Sequence, residues 1–174
     1  MKTPAALTDI DWAPSVYFAD ILVKCNLDHA WEKLWEFEQW NPTFAGAQVT
    51  SIKGAAKGEG EIIGVSKKIA DPDGEPFPEF FCETVKVVPG RRVVWYAYAK
   101  EGHKYQGQTD PFRNFIDFGL TEELGGVRFN IYYYAQNRLS GQLLSTERGF
   151  MPPLLKDIAA AFRKYCETPQ ARGA

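Results

Sequence analysis

Glu83, Tyr133 and Asn114 are the side chains whose type and setting could support chemistry in this sequence. Glu83 stands in Phe80-Phe81-Cys82-Glu83-Thr84-Val85, an apolar run with the composition of a strand. A carboxylate withdrawn from water there would hold its proton to higher pH and could serve as a general acid or base. Glu83 shares parity with Phe81, Val85 and Val87, yet both parities of the run are apolar. Alternation therefore leaves an inward and a solvent-facing Glu83 equally open. Tyr133 falls in register with Val127, Phe129 and Ile131, and Asn114 with Ile116, Phe118 and Leu120. That puts one phenol and one carboxamide on apolar strand faces. A buried polar group needs a hydrogen bond, and the partner is protein, trapped water or a ligand. Glu83 and Tyr133 are the candidate acid/base groups, and Asn114 and Tyr133 the candidate orienting groups. Asp117, of opposite parity to Ile116 and Phe118, is expected on the outside.

Other chemistries find less support. The two histidines, His29 and His103, have no cysteine or carboxylate at ligand spacing, so no metal site is expected. There is no Gly-x-Ser-x-Gly elbow, and no cysteine has an activating neighbour in sequence. Gly54-Ala55-Ala56-Lys57-Gly58-Glu59-Gly60 lacks the Gly-Lys-Ser/Thr ending of a phosphate loop and precedes a strand, so it reads as a hairpin turn. Lys plus Arg number 20 against 22 Asp plus Glu, with no run of like charge, which argues against a nucleic-acid-binding face. No apolar run approaches a membrane span, and residues 1–11 lack a signal-peptide core. Cys25, Cys82 and Cys166 are odd in number and far apart in sequence, which argues against a disulfide framework and for a reducing cytoplasm. No cofactor is expected. The 12 Phe, 8 Tyr and 5 Trp could fill a large core or line a cavity.

These side chains need elements to hold them. At 174 residues the chain fits one domain, here placed at 15–168, after a lead-in at 1–14 and before a tail at 169–174. Ser15–Cys25 reads as a first strand, Asp28 as the cap of a helix running from His29 to Phe37, and Asn41-Pro42 as its breaker. Strand candidates follow at 48–53, 61–69, 79–88, 92–98, 112–120 and 127–135. They are separated by Asp71-Pro72-Asp73-Gly74, Pro89-Gly90, a polar loop at 101–111 and Glu123-Leu124-Gly125-Gly126. The closing run, Gly141 to Glu167, places Met151, Leu154, Leu155, Ile158, Phe162 and Tyr165 on one side of a helix. Pro152 and Pro153 would leave the carbonyls of Arg148 and Gly149 without helical partners. Either the helix kinks there, or 142–150 is a separate turn and the helix begins at the prolines; helix-start preferences favour the latter. Consecutive hairpins closed by one amphipathic helix give an α+β antiparallel meander, seven strands curled around the helix.

This order, with Val23-Lys24-Cys25-Asn26-Leu27-Asp28-His29-Ala30-Trp31, then Trp40, the Val88-Pro89-Gly90-Arg91-Arg92-Val93-Val94-Trp95 hairpin, Phe118-Gly119-Leu120 and Gly125-Gly126-Val127-Arg128-Phe129, resembles the START-like helix-grip superfamily (SRPBCC) over about residues 15–167. The resemblance implies an elongated cavity between sheet and closing helix, and carries no catalytic set with it. The expected lining is Trp95, Asn114, Ile116, Phe118, Phe129, Ile131, Tyr133, Met151, Leu155, Ile158 and Phe162. The expected partner is a hydrophobic, aromatic or polycyclic small molecule. Two alternatives stand beside it: a cofactor-free cyclase, dehydratase or lyase, and an interaction module with a filled core.

Overall fold

The computed structural model describes residues 17–67, 80–99, 114–135 and 141–169. The lead-in, the Asp71–Gly74 turn, the 101–111 loop with His103, and residues 170–174 of the tail lie outside them. Strand β1 (Tyr17–Val23) leads into helices α1 (Leu27–Leu34) and α2 (Phe37–Trp40) and a 3-10 turn at Pro42–Phe44. Then come β2 (Ala47–Lys53), β3 (Ile62–Lys67), β4 (Phe80–Val88), β5 (Arg92–Ala99), β6 (Asn114–Glu123), β7 (Gly126–Ala135) and α3 (Gly141–Glu167). The strands form one antiparallel sheet in the order β1-β7-β6-β5-β4-β3-β2, wrapped around α3. The expected meander is therefore present, with β1 brought across to pair with β7.

Local details differ from expectation where short-range chemistry competes. Asn26, not Asp28, caps α1, its side chain accepting from the His29 N–H at 2.8 Å. The expected single helix divides at Trp35-Glu36, and Asn41 caps the 3-10 turn by accepting from Thr43 N–H at 3.0 Å. The prolines neither begin nor end α3, which runs unbroken from Gly141 to Glu167. A proline's fixed φ is helical, so only the acceptors at Arg148 and Gly149 lose their bonds while the turns on each side keep theirs.

Helix α3 covers the sheet's concave face, burying Met151, Leu155, Ile158, Ala159, Phe162 and Cys166. The Phe162 ring lies 4.2 Å from Phe129 and 4.9 Å from Trp40, centre to centre. The far end of α3 is also tied by polar contacts. Lys33, buried in α1, meets Glu36 at 3.0 Å, and the Tyr165 hydroxyl donates to the same carboxylate. Lys33 Nζ lies 5.4 Å from the Tyr165 ring. The indole N–H of Trp40 donates to the Lys33 carbonyl at 3.0 Å, and Glu167 accepts from Lys24 N–H at 2.8 Å.

Replacing Phe162 by alanine removes a fully enclosed ring and should cost about 3–5 kcal/mol in denaturant unfolding. Burial pushes the Glu36 carboxyl up, but the Tyr165 hydrogen bond and Lys33 outweigh it, so the group titrates below its ordinary range. A depressed folded value stabilises above the unfolded value and is lost as pH falls through the folded one. Glu36→Gln should thus show its full stability deficit at pH 7, and the deficit should shrink below roughly pH 4. Unfolding curves at the two pH values check this; a deficit constant with pH refutes it.

Candidate functional site

The concave face is built from rows of side chains that cross the sheet. One row runs Tyr17, Tyr133, Ile116, Trp95, Thr84, each directly opposite the next across β1, β7, β6, β5 and β4. The neighbouring row runs Asn114, Ala97, Cys82, Ile63. A third runs Ala19, Ile131, Phe118, Val93. Expected lining residues on β5, β6 and β7 all fall on this face, and those on α3 are buried in the same core.

They do not form one uniform wall. At the end nearest α1 and α2 the rings fill the interior. Trp40 meets Phe118 at 6.1 Å and Phe129 at 6.0 Å, Trp95 meets Phe118 at 5.2 Å, and Phe37 and Phe44 pack on Trp95 at 4.8 and 6.1 Å. Rings in edge-to-face contact at these separations are packing partners of each other. Phe118, Phe129, Phe162 and much of Trp95 thus make a plug. Trp40, Phe37 and Phe44, which close it, were not among the expected lining. Their signal in the sequence was an aromatic at every third or fourth residue of 37–44.

The opposite end is more polar. Tyr17 and Tyr133 face each other with ring centres 6.2 Å apart, and Asn114 sits diagonal to Tyr133, two residues along β6 from Ile116. Asn114, Thr84 and Tyr133 are each less than a tenth exposed. Met151 is level with this end. The bond from Lys24 to Glu167 fixes the C-terminus of α3 beside the end of β1, and α3 packs along that strand. At 1.5 Å per residue Met151 lies roughly 24 Å back, while β1 spans roughly 20 Å. Phenol, carboxamide and threonine hydroxyl thereby share the concave face with Ile116 and Trp95, near the Met151 turn. Cys82 adds a thiol that burial pushes up to about 12, which keeps it protonated at neutral pH.

Glu83 is on the other face of the sheet. It pairs with Tyr96 and Ile62, whereas Cys82 and Thr84 point toward α3. A β-bulge between Thr84 and Lys86 breaks the alternation, so Val87 returns to the helix side while Val85 stays outside. The parity shared by Glu83 and Val87 in the sequence does not survive that extra residue. Of the two facings the sequence leaves open, Glu83 takes the outer one, away from the interior where an acid/base role would place it. Burial raises its carboxyl, partly offset by Lys53, and Glu83 in turn adds to the burial that raises the Tyr98 phenol.

The outer face also holds a second apolar layer: Val94, Tyr96 and Phe115, with Val85, Tyr98 and Tyr134 around them. Asp117 faces outward as expected but is 4% exposed, because Arg92 lies over it with contacts of 2.7 to 3.1 Å. Among the described residues no three His, Cys, Asp or Glu side chains group as a metal site, and no helix is long and apolar enough to cross a membrane.

Solved structures share this architecture. DynU16, from the dynemicin biosynthetic locus, superposes with a TM-score of 0.56 at 16% identity, over 87% of this chain and 46% of its own. MLL2253 from Mesorhizobium loti gives 0.55 at 14%, covering 85% and 96%. The di-domain ARO/CYC StfQ of the steffimycin biosynthetic pathway gives 0.58 at 11%, covering 87% and 50%. The chain spans about half the length of DynU16 and of StfQ. No family model and no curated protein matches it. The chain shares with these structures the helix-grip fold, a curved antiparallel sheet around a C-terminal helix.

A raised carboxyl contributes stability below its unfolded value and loses it as pH rises through the folded value. Glu83→Gln should therefore be at least as stable as the parent at pH 7, and its relative gain should fade by pH 4. Chemical unfolding at both values measures this; a Gln variant clearly less stable at pH 7 would show that the carboxylate is held by a favourable partner.

Proposed function

We propose that the protein binds a hydrophobic, ring-containing small molecule between the sheet and the Met151 end of α3. The observation that carries the reading is the gathering of Tyr17, Tyr133, Asn114 and Thr84 at one end of an interior whose other end is packed with rings. Few polar groups set in an apolar wall are what small-molecule sites use to orient a ligand. The helix-grip fold, whose members hold hydrophobic ligands between sheet and helix, supports the same reading. In it Ile116, Ile131, Trp95, Met151 and Leu155 contact the apolar body of the ligand. Tyr133 and Asn114 take its polar edge, and Phe118, Phe129, Ile158 and Phe162 limit its depth.

A second reading, cofactor-free cyclase, dehydratase or lyase chemistry, is favoured by the likeness to StfQ, an ARO/CYC protein. Tyr133 is then the proton donor and the ring plug fixes the substrate's fold. Glu83, on the outer face, takes no part in it.

Native mass spectrometry of freshly purified protein, with thermal shift across aromatic, polycyclic and acyl compounds, tests binding. Binding predicts a co-purified mass or a Tm rise with a ring-containing compound. Asn114→Ala should weaken that affinity roughly tenfold, the loss of one buried hydrogen bond, and Glu83→Gln should leave it unchanged. Turnover abolished in Tyr133→Phe with affinity retained would select the enzymatic reading. No mass and no shift with any compound would leave the interaction module with a filled core as the outcome.

A further inference from the structure

We infer that Cys25 and Cys166 are a reversible dithiol/disulfide pair that joins the start of α1 to the end of α3. The two cysteines are 141 residues apart in sequence, yet the fold sets the segments that carry them side by side, and each thiol influences the other's ionisation. Two contacts hold the segments together: Lys24 N–H to the Glu167 carboxylate at 2.8 Å and the His29 ring Nε2–H to the Cys166 carbonyl at 3.1 Å. Cys166 is buried in the main core, and Cys25 packs against that core as Leu27, Trp31 and Tyr165 do.

The two thiols differ in access. Cys25 is partly exposed and Cys166 is buried, which makes Cys25 the sulfur that meets an oxidant. With an oxidised low-molecular-weight disulfide, the Cys25 thiolate attacks one sulfur, forms a mixed disulfide and expels one small thiolate. Cys166 then loses its proton to solvent and attacks the Cys25 sulfur, expelling the second. Two electrons pass from the protein to the reagent, which leaves as two thiols. Burial raises both thiols, Cys166 to about 12, so formation is slow and the bond once made is long-lived. Cys82, buried on the concave face of β4, stays outside the exchange.

The protein is equilibrated with oxidised glutathione, freed of reagent, unfolded and alkylated. Of the three cysteines, one should still be labelled, with a mass lower by two hydrogens, no adduct, and a peptide joining Cys25 to Cys166. Closing so long a loop should raise Tm by about 5–15 °C, and dithiothreitol should reverse it. Cys25→Ser should keep two labelled thiols and show no rise. Three labelled thiols, a persistent glutathione adduct, or a linkage between chains would overturn the inference. If Cys25→Ser does not fold, the labelling count and the joined peptide from the parent protein decide alone.

Discussion

The contact of Phe162 with Phe129 and Trp40 is what the rest of this architecture depends on. A curved antiparallel sheet has one face that must be covered, and a single helix covers it only if its position along the strands is fixed. Three interlocked rings supply that fixed point, because aromatic edges and faces fit in few ways. The Lys33–Glu36–Tyr165 group then sets the rotation of the helix end. Lys33 is buried while Glu36 is partly exposed, so losing Glu36 would leave the buried ammonium without its ion-pair partner.

Fixing the helix at one end gives the interior two different characters. The end beside α1 and α2 is filled by rings in mutual contact. The end beside Tyr17, Tyr133 and Asn114 has polar groups whose desolvation must be offset, and it lies farther from the ring contacts. On the proposed ligand-binding reading, affinity would draw mainly on the Tyr17, Tyr133 and Asn114 end and resistance to unfolding mainly on the ring-filled end, although both sets sit on the same strands.

Much of the fold could be read from the chain because hairpins are local. Gly125 and Gly90 mark turns, and Val127, Phe129, Ile131 and Tyr133 alternate without interruption. The parity of β6 and β7 consequently placed Asn114 and Tyr133 on the concave face. Errors arose where alternation carries no information. Both faces of β4 to β6 are apolar, since Phe115, Tyr96 and Val94 pack on the outside, so burial could not tell one face from the other for Glu83. Asp117 followed its expected direction, yet Arg92 buries it, a pairing between strands that no single stretch displays. Cys25 and Cys166 meet only because the last turn of the final helix returns to the first loop. The prolines of α3 misled because helix-start preferences describe short-range statistics, whereas a proline's fixed φ is itself helical and lets the helix run through.

The bulge in β4 has one more effect. Val85 is the residue by which that strand exceeds its partner: Thr84 stands across from Trp95, and Lys86 across from Val94. Removing Val85 would leave a regular ladder with every other side chain on its present face. Removing Lys86, which shares the outer face with Val85, would do the same, whereas removing Thr84 or Val87 would force the ladder to slip. The strand thus contains a single point of slack, where an ancestral insertion could enter, or a later deletion leave, without turning the interior inside out.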